Sequence, residues 1–91
     1  MIRVTVEVYA SLREKLGWCR KELTMSSPRV LLRDVLESLP DLRKYVIDDA
    51  GALRGGFIVL VNGRHVEFTG GLETLLKDND ELAIFPPGGG G

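Results

Sequence analysis

Ninety-one residues are enough for one domain with a single core, and too few for two. A composition of 44% hydrophobic and 27% charged residues is ordinary for a globular chain, and a formal net charge of −1 offers no basic surface to nucleic acid or an anionic membrane. The single cysteine, Cys19, excludes an internal disulfide, a multi-cysteine zinc site and a four-cysteine iron–sulfur cluster.

From Ile2 to Tyr9 the chain alternates, with Ile2, Val4, Val6 and Val8 on one face and Arg3, Thr5, Glu7 and Tyr9 on the other. That period of two predicts a half-buried strand. Ser11 followed by Glu14 reads as a capping box opening a short helix, which Gly17 stops. Trp18 to Met25 predicts a second strand returning antiparallel to the first, and Cys19 reads there as a small, buried or half-buried hydrophobe. Ser27-Pro28 then resembles an N-cap and first-turn pair. Leu32, Val35, Leu36 and Leu39 follow at helical spacing and predict the main amphipathic helix. Pro40 ends that helix or starts another turn, and Leu42, Tyr45 and Val46 fit a second short helix.

After a loop over 48–56, the apolar run Phe57 to Val61 predicts a central strand covered on both faces. Asn62-Gly63 predicts a type I′ hairpin, so Arg64 to Phe68 returns beside that strand. His65 lies just past the hairpin turn, where a solvated histidine is the expected reading. Gly70-Gly71 breaks the strand, and Asp78-Asn79-Asp80 turns into a last strand with Leu82 and Ile84 facing one way and Glu81, Ala83 and Phe85 the other. The resulting fold class is α+β: a β-grasp, ubiquitin-like arrangement with a mixed sheet of four to five strands and one main helix packed on one face. In it the first and last strands are parallel neighbours, so Tyr9 and Phe85 are expected near each other on the open face.

The expected division is a β-grasp domain over 1–85 and a flexible tail over 86–91. Pro86 and Pro87 fix φ and lack an N–H, so the strand must stop at Phe85 and the chain must leave stiffly. Gly88, Gly89, Gly90 and Gly91 carry no Cβ and could enter a slot closed to any side chain. From Pro86 to Gly91 the reach is at most roughly 20 Å, at ~3.3 Å per residue. No leader-like segment and no membrane-length apolar run are seen, which gives a reducing, cytoplasmic protein as the expectation.

Tyr9-Ala10-Ser11-Leu12-Arg13-Glu14, Val61-Asn62-Gly63, Leu75 to Glu81, and Phe85-Pro86-Pro87 followed by Gly90-Gly91 together resemble the MoaD/ThiS family, above all the small subunit of molybdopterin synthase. The match spans nearly the whole chain. Two departures are visible: Gly88 and Gly89 stand where family tails usually carry a larger side chain, and Asn79 replaces a common turn glycine.

The resemblance implies a sulfur carrier with no catalytic side chains of its own. An E1-like adenylating enzyme would use ATP to activate the Gly91 carboxylate, a sulfur donor enzyme would supply sulfur in place of AMP, and the thiocarboxylate would act in the large subunit of molybdopterin synthase. Tyr9, Phe85 and Val66 are the expected partner-binding residues, and no cofactor or metal is expected on this chain. Other readings share the same terminus: a ubiquitin-like modifier joined through Gly91 to lysines, a thiamine or tRNA-type sulfur carrier, or an interaction module with an inert tail.

Overall fold

In a computed structural model, residues 1–88 of the chain are described. β1 (Ile2–Val8) lies between β2 (Arg20–Met25), antiparallel to it, and β7 (Asp80–Phe85), parallel to it. β4 (Ile58–Val61) pairs antiparallel with the other side of β7, and β5 (Arg64–His65) with β4, giving the order β2-β1-β7-β4-β5. The sheet is the mixed β-grasp one that the alternation predicts, with its two most regularly alternating strands at the centre.

Helices cover one face. Val4, Val6, Val8, Val59, Leu82 and Ile84 point into the core, all at most 1% exposed. There they meet Leu12 of α1 (Ala10–Leu16), Leu32, Val35 and Leu36 of α2 (Leu32–Glu37), and Leu42 and Val46 of α3 (Pro40–Val46). At about 1.5–3 kcal/mol for each buried Val, Leu or Ile, this cluster is the main source of stability.

The helices depart from the sequence reading in two places. Ser11 does not cap α1: the N-cap is Tyr9, with no side-chain capping bond. Tyr9 N–H donates to Ile84 O at 3.1 Å, so the chain passes from sheet to helix with no extended residue left for a serine cap. Ser27-Pro28 forms a local turn, with Ser27 Oγ donating to Arg29 O at 2.9 Å. The helix starts later because β3 (Val30–Leu31) pairs with β6 (Leu75–Leu76) in a second, two-stranded sheet. Asp34 then accepts from Leu31 N–H at 2.9 Å, supplying the acidic first turn. The second short helix expected over Leu42, Tyr45 and Val46 is present as α3, with Pro40 opening it where its missing N–H costs nothing.

Two turns hold the sheet in register. Asn62 (φ 50) and Gly63 (φ 85) adopt the left-handed conformations that the hairpin requires. Asn62 Nδ2 donates to Asp80 Oδ1 at 2.8 Å and its Oδ1 accepts from Glu81 N–H at 2.9 Å, which ties the hairpin to β7. At the other turn, Asp78 Oδ1 accepts from Arg3 N–H at 2.8 Å.

That bond, followed by the Arg3 guanidinium, holds the Asp78 carboxyl below its ordinary pKa. A carboxyl depressed in the fold stabilises it above the unfolded value and loses that contribution as pH falls through the folded one. Thermal stability should therefore drop below about pH 4, the ordinary carboxylate range, and Asp78→Asn should flatten that drop. An unchanged acid slope in Asp78→Asn, from melting curves between neutral and strongly acidic pH, would mean that the bond contributes nothing.

Candidate functional site

β4 is not covered on both faces. It lies one strand from the edge of the sheet, with Val59 inside and Ile58 42% exposed on the open face. Register places Ile58 opposite Phe85, Leu60 opposite Ala83, and His65 opposite Leu60. An apolar strip therefore runs across β7 and β4 on the side away from the helices.

Tyr9 and Phe85 head this strip. Their ring centroids are 4.4 Å apart with planes 10° from parallel, a stacked pair, as the parallel β1–β7 pairing led us to expect. Tyr9 is held there by its N–H bond to Ile84 O and by its hydroxyl, which donates to Glu7 Oε2 at 3.2 Å. Partial burial raises the Tyr9 phenol above its ordinary pKa and the Glu7 carboxylate adds to the rise, so the hydroxyl stays a neutral donor. The next residue, Ala10, sits at φ 56, a conformation that costs an L-residue roughly 1–2 kcal/mol. Such strain right beside Tyr9 is tolerated because the sheet bond and the helix fix both sides of the link.

Val66 does not join the strip. With His65 facing outward opposite Leu60, the next residue must face inward like Val59, and the chain there winds into a short 3-10 turn instead of continuing as a strand. Val66 is fully buried, so its side chain is not available to a partner. Cys19 is exposed, contrary to the sequence reading, and lies outside the β2 strand. His65 Nδ1 accepts from Glu67 N–H at 3.1 Å. Among the described residues no group of His, Cys, Asp and Glu could hold a metal ion, and no helix is long and apolar enough to cross a membrane.

The tail leaves from the end of β7 at which Tyr9 and Phe85 stack. Pro86 is half-buried, Pro87 and Gly88 are exposed, and a Cβ on Gly88 would meet nothing. Gly89, Gly90 and Gly91, the residues on which the expected chemistry falls, lie outside the described residues.

Sequence reasoning passed over Gly56 as a turn residue. It has φ +86, and a Cβ there would stand 3.0 Å from both Cβ and Cγ of Pro87. The bare glycine is the seat on which the second proline rests. Gly56→Ala is expected to cost about 1–2 kcal/mol through the backbone alone, and more through the contact. The contact share should vanish in a Pro87→Gly background, where no ring remains to collide. Thermal unfolding of the four proteins checks this, and an equal cost in both backgrounds would show that Pro87 is not seated on Gly56.

Among the described residues the arrangement offers an apolar strip beside a stiff exit. The family model for ThiS matches residues 6–91, almost the entire described fold and the tail together. The chain belongs to the ThiS family. Its fold is that of ubiquitin-like sulfur carriers and modifiers, and several solved structures resemble this ThiS-family chain over nearly their full length. Small archaeal modifier protein 1 from Methanosarcina acetivorans is 37% identical, covering 100% of this chain and 98% of that one with a TM-score of 0.79. The same-named protein from Haloferax volcanii is 29% identical over 98% of this chain and 99% of its own, with a TM-score of 0.83. CysO from Mycobacterium tuberculosis is 28% identical over 91% and 97%, with a TM-score of 0.70. Among curated protein sequences no significant match is found.

Proposed function

We propose that this chain is a sulfur carrier for molybdopterin biosynthesis, acting as the small, non-catalytic subunit of a synthase-like sulfurtransferase. The observation that carries the reading is the stacked Tyr9–Phe85 pair, which heads an exposed apolar strip at the very strand end from which Pro86 and Pro87 lead out the glycines.

The Gly91 carboxylate is a poor electrophile, because oxygen leaves it badly. Attack of that carboxylate on the α-phosphate of ATP, within an adenylating enzyme, releases pyrophosphate and gives an acyl adenylate. The persulfide sulfur of a donor enzyme then bonds to the acyl carbon while AMP departs with its electron pair, and a second thiol attacks the donor-side sulfur of the acyl disulfide, forming a disulfide on the donor and releasing the thiocarboxylate. The terminal thiocarboxylate sulfur is an exposed nucleophile for a pterin precursor in the large subunit. The acids, bases and ATP site belong to the partners.

Threading Gly88 to Gly91 into a slot loses roughly 4–8 kcal/mol of conformational freedom, at about 1–2 kcal/mol per residue. Covering Tyr9 and Phe85 returns about 1.5–3 kcal/mol each, and Ile58 beside them adds a similar amount. The strip therefore offsets the ordering of the tail.

A second reading is favoured by the likeness to small archaeal modifier protein 1, whose name describes a protein modifier. In that case the adenylated Gly91 would pass to lysines of other proteins. A reconstituted reaction separates the two: the chain, ATP, the adenylating enzyme, a sulfur donor and a large synthase subunit should give dithiolene-bearing pterin. Adenylation without pterin product, together with lysine conjugates in cell extract, supports the modifier instead.

A further inference from the structure

On the helical side of the tail's exit, Pro87 forms one wall of a half-open groove of about 470 Å³ whose other lining includes Tyr45, Phe57, Lys15, Lys44 and Arg54. The floor is apolar and the rim is cationic. Lys15 Nζ lies 5.5 Å from the centroid of the Tyr45 ring and Lys44 Nζ lies 5.2 Å from it, so a single ring positions both ammonium groups. None of the three cations is ion-paired among the described residues, and of the other cations without an ion pair there, Arg13, Lys21, Arg29, Arg64 and Lys77, none lines the groove. In a chain of net charge −1, gathering three unpaired positive charges around one groove works against the isolated fold.

From this we infer that the groove is a second docking point, which receives an acidic segment with apolar side chains from the adenylating enzyme that takes the tail. The inference rests on the carrier or modifier reading only in assuming that such an enzyme binds. Charge complementarity selects an acidic occupant. The apolar floor of Tyr45, Phe57 and Pro87 selects a peptide segment over a small anion, which would leave that surface wet. Continuity with the tail puts the groove on the path of any partner that accepts the glycines beyond Pro87, and the adenylating enzyme is the partner that both the carrier and the modifier reading require. The groove and the Tyr9–Phe85 strip then grip the root of the tail from two sides, which fixes its direction as well as its position.

The test uses the full-length chain and the adenylating enzyme of the same organism. Lys15→Glu, Lys44→Glu and Arg54→Glu are combined, and the control reverses Arg29, Arg64 and Lys77, exposed cations elsewhere, to Glu so that net charge changes equally. Melting curves establish that each variant folds; should the triple variant not fold, the single changes Lys15→Gln and Lys44→Gln take its place. At low salt the groove variant should bind at least about tenfold more weakly than the control, and the gap should close as salt screens the rim charges. Equal affinity and equal salt dependence of the two variants overturn the inference while leaving the carrier reading intact. No binding by the wild-type chain overturns that reading itself. Amide shifts at Lys15, Lys44 and Arg54 induced by AMP or inorganic phosphate, with enzyme binding unaffected by the charge reversals, would assign the groove to a small anion and also overturn it.

Discussion

Deleting Gly91, or adding one residue after it, is expected to lower sulfur transfer by orders of magnitude and to leave the melting temperature unchanged. On the proposed function the reacting atom is the carboxyl carbon of Gly91, and misplacement by about 1 Å can cost roughly a hundredfold in rate. The fold needs none of this, since its core is complete within residues 4–84. Gly90→Val should be nearly as severe for a different reason: the carboxyl is present, but on the proposed function a branched Cβ would have to enter a partner's channel that bare backbone fits. Normal transfer by the extended protein would exclude the carrier and the modifier together and leave an interaction module with an inert tail.

The other large effect separates two neighbours on β7. Ile84 is fully buried between the sheet and the helices, so Ile84→Ala is expected to cost about 2–5 kcal/mol of stability. Phe85 lies on the opposite face, half-exposed and stacked on Tyr9, so Phe85→Ala should cost only about 0.5–1.5 kcal/mol of stability. Its larger penalty should fall on binding to the large synthase subunit, where about 1.5–3 kcal/mol of apolar burial is lost. Melting curves set beside binding isotherms check both. A Phe85→Ala protein that unfolds as easily as Ile84→Ala but binds normally would assign the wrong face to the partner.

That contrast was already legible in the alternation of the sequence. Val4, Val6 and Val8 against Thr5, Glu7 and Tyr9, and Leu82 and Ile84 against Ala83 and Phe85, fix two strands and their inner faces locally. Their parallel pairing then brings Tyr9 to Phe85. Asn62-Gly63 was equally readable, because few dipeptides accept two left-handed conformations in a row. What escaped depends on long-range contacts. Val30 and Leu31 are strand because Leu75 and Leu76 lie beside them, and that pairing shortens the helix after Pro28. Val66 is buried because the hairpin register turns His65 outward beside Leu60 and so turns the next residue inward like Val59. Ile58 is exposed because the helices cover only the other face of the sheet, so an apolar run that reads as interior forms an open face. The seat of Pro87 on Gly56 joins residues 31 positions apart and could be found only in the folded chain.

The central claim is that Gly91 carries sulfur, and the mass of the intact protein purified from its native cells tests it most directly. A fraction of the molecules should be heavier by one sulfur-for-oxygen exchange, with the change confined to the C-terminal peptide and lost in cells lacking the adenylating enzyme. Only unmodified carboxylate, or Gly91 found solely in isopeptide bonds to lysines of unrelated proteins, would contradict it.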